Sequence, residues 1–258
     1  MEGFEGMKAY KDAQGRIRTF RPEMNCKRLV RTSQELCFPS FDPNELVKCL
    51  DEYLKIESKW IPESPASLYL RPTIMSLTNK LGVHPPAETM LFVCSAPSGS
   101  YFKGGVKAIR LKVETEGVRA WPGGTGFVKA GANYAIGIRY VHDALAQGYD
   151  QVLWLNGGNV TEAGAMNFYM LWKNKEGVAE VVTPMLDGTI LPGVTRDSVM
   201  TMVREDGKYP VSEKKIHIDE IVEAGRAGRV LIFNKVLDYG ILRLWNSSHC
   251  WTNSFSYL

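Results

Sequence analysis

The chain has 258 residues, room for one large domain or two ordinary ones at roughly 100–200 residues per domain. With 45% apolar and 23% charged residues its composition is globular, which excludes collagen-like, mucin-like and disordered chains. The balance of 31 basic against 28 acidic residues, net +3, is too even to point to a nucleic-acid or anionic-membrane partner.

No apolar run approaches the roughly 20 residues of a membrane-spanning helix, so no membrane partner is expected. The opening stretch Met1-Glu2-Gly3-Phe4-Glu5-Gly6 has neither the basic nor the apolar region of a secretory signal. The cysteines, Cys26, Cys37, Cys49, Cys94 and Cys250, form no CxxC pair. The histidines, His84, His142, His217 and His249, show no ligand spacing, so no metal is expected. Scattered thiols in a chain this long read as reduced, which points to an intracellular compartment.

Taken in chain order, Met7–Tyr10 followed by Gln14–Phe20 reads as a hairpin with a polar turn. Asn25 is the expected cap of a helix running through Leu29, with Arg28 and Arg31 on its surface or aimed into a site. Asp42 before Pro43 opens a second helix, whose Leu46, Val47, Leu50, Tyr53 and Leu54 fall at helical spacing. Ser67–Pro72 reads as a strand ended by its proline, and Glu88–Cys94 as a strand whose apolar run from Met90 implies burial on both faces. A glycine-rich stretch between Pro97 and Arg110 marks a change of domain.

Further on, Gly117–Trp121 reads as a strand leading into the flexible Gly123-Gly124-Thr125-Gly126. A helix with Ile138, Val141, Ala144 and Leu145 on one face ends near Gly148. Gln151–Leu155 is a strand, and Asn167–Trp172 with Val178–Val182 forms a hairpin. Leu191–Thr195 leads into a helix through Val199 and Val203, Ile218–Glu220 starts another short helix, and a strand follows at Arg229–Phe233. The implied division is a small domain at 1–103, a connection at 104–114, a large domain at 115–231 and a tail at 232–258.

The patterns for a phosphate-binding P-loop, a GxGxxG dinucleotide turn, a zinc protease and a nucleophile elbow are all missing. Three features could carry chemistry. Lys129 lies between Phe127-Val128 and Ala130-Gly131, where an amine is poorly solvated. Desolvation lowers a lysine's pKa and makes it a nucleophile, although a surface lysine on a loop fits the same residues. Tyr134, five residues on, could hydrogen-bond a cofactor oxygen or simply pack in the core. Glu162 is the only acid in Asn159–Met166 and needs a partner there; a pyridinium nitrogen would serve, and a cap or edge charge is the plainer reading. Gly193-Val194-Thr195 at a helix start could cradle a phosphate or be an ordinary cap. An amine, an acid and an anion site together are what pyridoxal 5'-phosphate requires.

Several ordered stretches carry a resemblance: Phe4–Tyr10, Ser67–Pro72, Arg119–Tyr134, Gln151–Leu155, Thr161–Asn167 and Leu186–Arg196. They resemble the branched-chain amino acid aminotransferases, pyridoxal-phosphate enzymes of fold type IV, over roughly residues 3–231. The resemblance implies an α+β fold with a small α/β domain and a larger pseudo-barrel domain that binds the cofactor. It implies transamination of leucine, isoleucine and valine with 2-oxoglutarate, so the expected partners are small amino acids and 2-oxo acids, and a second copy in a homodimer. By this likeness Lys129 bears the cofactor and moves the substrate's α-proton, Glu162 pairs with the pyridine nitrogen, and Tyr134 bonds the ring oxygen. Arg28, Val194 and Thr195 bind the phosphate, and Phe4, Tyr69 and Tyr101 line an apolar pocket. Arg71 receives the carboxylate of glutamate, and Leu81 and Val83 reach into the partner subunit's pocket.

The sequence also departs from the family. The family has an extension before Phe-Glu-Gly, and a Gly-Ser-Gly-Thr loop after the strand near Val230 that has no counterpart in residues 232–258. The expectation is therefore a chain incomplete at both ends and weak in stability or activity, with a non-catalytic dimerisation partner of a full-length relative as the alternative. Ala165 replaces a common threonine, a loss of about 1 kcal/mol in one hydroxyl contact. The arginine after Leu68-Tyr69-Leu70 argues against a D-amino acid aminotransferase or an aminodeoxychorismate lyase. Cytosol and mitochondrion are equally compatible with these residues.

Overall fold

The computed structural model describes residues 1–99 and 109–233. These fall into two compact units, one of 1–99 with Val128–Ala135 and one of 109–127 with 136–233. Val128–Ala135 groups with the first unit although it is distant from it in sequence, and the expected connection at 104–114 lies partly outside the described residues.

In the first unit the strands are β1 (Glu2–Phe4), β2 (Met7–Lys11), β3 (Ile17–Thr19), β4 (Ser67–Ser76) and β5 (Thr89–Ser98). The long β4 pairs antiparallel with β1, with β2 and with β5, and β3 adds to β2. The β2–β3 turn closes because Asp12 Oδ1 accepts the Gln14 and Arg16 amides at 3.0 and 2.9 Å. Helix α1 (Pro22–Glu35) begins three residues before its expected cap. Proline at the first helical position starts it, since a ring has no N–H to leave unsatisfied there. Asn25 lies inside the helix, buried, and its amide donates to Glu5 Oε2 at 2.8 Å and to the Gly6 carbonyl at 3.1 Å.

Helix α2 (Pro43–Ile56) starts as expected, with Asp42 accepting the Asn44 amide at 2.8 Å. Its row of Leu46, Leu50 and Leu54 joins Cys26 and Leu29 of α1 in one core with Leu68, Leu70 and Ile74 of β4. Pro72 does not end β4. Its carbonyl accepts the Glu5 amide at 2.8 Å where the facing chain passes from β1 to β2, so the ring forfeits only the reciprocal donation. Strand β5 is also not buried on both faces: Met90 and Leu91 are exposed, and β4 is its only strand partner among the described residues.

The segment Val128–Ala135 docks on β1. The Phe4 amide donates to the Lys129 carbonyl at 3.0 Å, the Gly131 amide to the Glu2 carbonyl at 3.2 Å, and Gly3 bridges Ala130. Its last residues form the single turn α3 (Ala132–Ala135).

The second unit holds β6 (Leu111–Glu114), α4 (Ile138–Ala146), β7 (Gln151–Asn156), β8 (Asn159–Ala163) and β9 (Met166–Asn167). It continues with β10 (Met170–Lys173), β11 (Ala179–Pro184), α5 (Val194–Asp206), β12 (Val211–Lys214), α6 (Ile218–Arg226) and β13 (Val230–Phe233). Two four-stranded sheets result, ordered β6-β7-β8-β9 and β12-β11-β10-β13. The parallel pairs β6–β7 and β11–β12 are each separated in sequence by a helix, α4 and α5 respectively. Leu153, Leu155, Val160, Phe168, Met170 and Val182 share a core with Ile216, Ile221 and Ala224.

Two expectations in this unit are corrected. Gly117–Trp121 is irregular, not a strand, because the buried Arg119 side chain binds loop carbonyls there. Helix α4 buries Ala144, with Tyr140 and Val141, against Val152 and Trp154, and exposes Ile138 and Leu145. At about 3.6 residues per turn Tyr140, Val141 and Ala144 share one arc, and Ile138 and Leu145 fall beside it.

Candidate active site

In the first unit five of the expected site residues come together. Lys129 is half-buried and its Nζ donates to Tyr134 Oη at 2.9 Å. The same nitrogen lies 4.7 Å from the Phe4 ring centre and 5.0 Å from that of Tyr134. The two rings are 5.2 Å apart, tilted by 53°. The Arg71 guanidinium sits 4.6 Å from the Phe4 ring and 5.1 Å from the Tyr69 ring, and its Nη2 donates to Tyr69 Oη at 2.9 Å. Phe4 thus carries two cations on its π system, each contact contributing about 0.5–2 kcal/mol according to its desolvation. Strand periodicity explains part of this: Tyr69 and Arg71 are two apart on β4 and share a face.

Arg28 does not lie on the helix surface. It is buried, with Nε donating to Glu5 Oε1 at 2.7 Å and Nη2 to Glu5 Oε2 at 2.9 Å. Glu5 is also buried, and the Gly6 amide and the Asn25 side chain complete its bonds. The sequence reading missed Glu5 and Asn25. An acid between Phe4 and Gly6 in a strand region was the signal, since a carboxylate among apolar neighbours needs a counter-charge.

In the second unit Glu162, on β8, is buried. Its Oε1 accepts the Leu191 amide at 2.8 Å and the Asn167 side chain at 3.3 Å, and its Oε2 meets Arg119 Nε at 2.8 Å. Asn167 also donates to the Leu191 carbonyl at 2.7 Å, and Arg119 to the Thr189 carbonyl at 2.9 Å. Glu162 is therefore neither a helix cap nor an exposed edge charge. Arg119 and Asn167, to which no role was given, hold it against the loop that precedes α5. Gly126 lets that loop approach, because a Cβ there would lie 2.6 Å from the Thr189 carbonyl oxygen. Helix α5 begins at Val194, with Gly193 as a cap that offers no side-chain oxygen. Its first-turn N–H groups, at Val194 and Thr195, suit an anion.

Leu81 and Val83 are fully exposed on the segment between β4 and β5. Tyr101 lies outside the described residues. Among the described residues no group of three or more His, Cys, Asp or Glu side chains could hold a metal ion, and no helix is long and apolar enough to cross a membrane.

The chemistry of these donors suits pyridoxal 5'-phosphate: an amine for an aldehyde, aromatic faces for a flat ring, a buried carboxylate for a ring nitrogen, and an uncapped helix start for a phosphate. Residues 3–227 match the family model described as amino-transferase class IV. The chain is 47% identical over 233 residues to the branched-chain-amino-acid aminotransferase of Monosiga brevicollis, covering 89% of this chain and 60% of that relative. It thus spans less than two thirds of the curated relative. Among solved structures it is similar to the branched-chain amino acid aminotransferase of Escherichia coli, at 26% identity and a TM-score of 0.74, over 87% of this chain and 71% of the other. It shares its fold too with the branched-chain amino acid aminotransferase of Thermobaculum terrenum in its PLP-form, at 23% identity and a TM-score of 0.74, over 87% of this chain and 70% of the other.

Proposed function

The chain belongs to the class IV amino-transferase family, with a fold type IV architecture, and from that premise we propose that it is a pyridoxal 5'-phosphate-dependent transaminase of leucine, isoleucine and valine. The acceptor is 2-oxoglutarate, which becomes glutamate, and the working form is a homodimer. The observation that carries this reading is the Lys129 amine, hydrogen-bonded to Tyr134 at 2.9 Å beside the Phe4 ring.

When bound, the cofactor supplies an aldehyde and an electron-withdrawing ring. Lys129 would hold the cofactor through its amine and would move the substrate's α-proton. Tyr134 orients that amine and would hydrogen-bond the ring oxygen. Glu162, kept in place by Arg119 and Asn167, would pair with the pyridine nitrogen. Arg28, with Val194 and Thr195, would bind the phosphate. Phe4, Tyr69 and Tyr101 contact the branched side chain, and Arg71 pairs with the second carboxylate when glutamate occupies the same pocket. Leu81 and Val83 extend to the partner subunit's pocket.

The test is spectroscopic and kinetic. Purified protein mixed with the cofactor should show the visible absorbance band of lysine-bound pyridoxal and turn over leucine with 2-oxoglutarate. Lys129→Ala should abolish both. A wild-type chain without the band refutes the cofactor reading, and turnover of D-alanine in preference to leucine refutes the substrate class. The chain's span of 60% of the Monosiga brevicollis relative supports a second reading, a non-catalytic partner of a longer relative. Co-purification with such a relative without turnover identifies that case.

A further inference from the structure

We propose that the Thr32 hydroxyl is a positioning group that fastens the cofactor-bearing lysine to helix α1; this rests on the role given to Lys129 above. Thr32 is fully buried on α1. Its Oγ1 donates to the Arg28 carbonyl one turn back at 2.9 Å, and accepts the Lys129 amide at 3.0 Å. Only a group that donates and accepts at once can serve both bonds, and a hydroxyl does so.

The arrangement joins two parts of the proposed site through one helical turn. Glu5 clamps the side chain of Arg28, whose carbonyl in turn orients the hydroxyl that holds the Lys129 backbone. On its other side Lys129 gives its carbonyl to the Phe4 amide at 3.0 Å, and the Phe4 ring meets its Nζ at 4.7 Å. With N–H and C=O both fastened, the direction of the Cα–Cβ bond is set. Only the torsions of the side chain remain to be fixed, and Tyr134 and Phe4 restrict those. Small errors in the placement of a reacting group cost rate and affinity steeply, so a fixed backbone at this lysine has a functional consequence.

The methyl group of Thr32 has a separate task. It fills the space above Gly3, where an added Cβ would come within 2.7 Å of Thr32 Cγ2. Hydroxyl and methyl can therefore be tested apart. Thr32→Val keeps the branched shape and removes the hydroxyl, and Thr32→Ser keeps the hydroxyl and removes the methyl.

Wild type and both variants would be titrated with pyridoxal 5'-phosphate, following the visible band. They would then be trapped with borohydride, and the share of pyridoxyl label on Lys129 read by peptide mass spectrometry. Thr32→Val is expected to weaken cofactor binding about tenfold and to spread label onto other lysines, with Thr32→Ser within about twofold of wild type. Wild-type behaviour of Thr32→Val overturns the proposal, and so does loss of binding in Thr32→Ser, because methyl packing would then decide. If circular dichroism shows that Thr32→Val does not fold, Thr32→Ser still decides: retained label on Lys129 supports the proposal and lost label overturns it. A wild-type chain that takes no label on Lys129 refutes the reading of the site itself, and the role of Thr32 with it.

Discussion

Glu5 and Glu162 are both buried carboxylates met by a buried arginine, one in each unit. They differ in what the pair holds. Around Glu5 the donors are side chains of a regular helix, Asn25 and Arg28, together with the adjacent Gly6 amide. Around Glu162 they are a loop amide at Leu191, the Asn167 side chain at the end of β9, and Arg119 on an irregular segment that also binds the Thr189 carbonyl. The first pair locks a helix onto a sheet. The second holds in place loops that have no ladder of their own, so carboxylate and arginine there replace missing backbone partners.

The largest effect should come from stranding one charge. Arg28→Met leaves Glu5 buried beside an apolar chain, at a cost of about 3–5 kcal/mol. Urea denaturation should show it, and a loss below about 1 kcal/mol would mean that the pair does not organise the first unit. Arg119→Lys is milder, since a lysine keeps the charge but cannot reach Glu162 and the Thr189 carbonyl together. One buried acceptor left unmet costs about 1–3 kcal/mol. Hydrogen exchange should then rise in the 187–193 loop ahead of the sheets, and a uniform rise would contradict the loop-holding role. Asp42→Ala removes a helix cap apart from both pairs and should cost about 1 kcal/mol without changing cofactor titration. Any change in the titration would mean that α2 acts on the site.

The smallest effect should be confined to acid. Burial pushes the Glu180 carboxyl up, but hydrogen bonds from Ser212, Trp172 and Lys214 outweigh it and hold the group below its ordinary value. A carboxyl lowered in the folded state contributes stability above its unfolded pKa and loses it as pH falls through the folded one. Thermal unfolding of Glu180→Gln should therefore show a flatter acid limb than wild type. An equally steep limb would assign acid sensitivity to other carboxyls, Glu213 first, which hydrogen bonds from Arg196 and Arg204 also hold low.

Much of the fold was legible because its signals are local. The Asp42–Pro43 helix start, the β2–β3 hairpin, the strand at Gln151–Leu155 and the Val194 helix each follow from capping, turn chemistry or periodicity. The readings that failed lacked a local signal. Asn25 looks like a cap, yet its amide is committed to Glu5 twenty residues away. Gly117–Trp121 looks like a strand, but Arg119 answers to Glu162 and Thr189. The Met90–Cys94 run looks doubly buried, yet Met90 and Leu91 are exposed, because whether a sheet is covered on both faces is decided by what packs on it.

The sequence by itself indicated most helices and strands, singled out Lys129, Tyr134 and Glu162 as candidates, and carried the family resemblance. Those depend on residue type and spacing, and spacing acts over a few residues. Tertiary structure alone decided that Glu5 would hold Arg28, that Arg119 would hold Glu162, and that Lys129 would hang from the hydroxyl of Thr32. Partners 23 to 97 positions apart meet only once the chain has excluded water from between them, and a buried polar group then accepts whichever donor the fold has brought within reach.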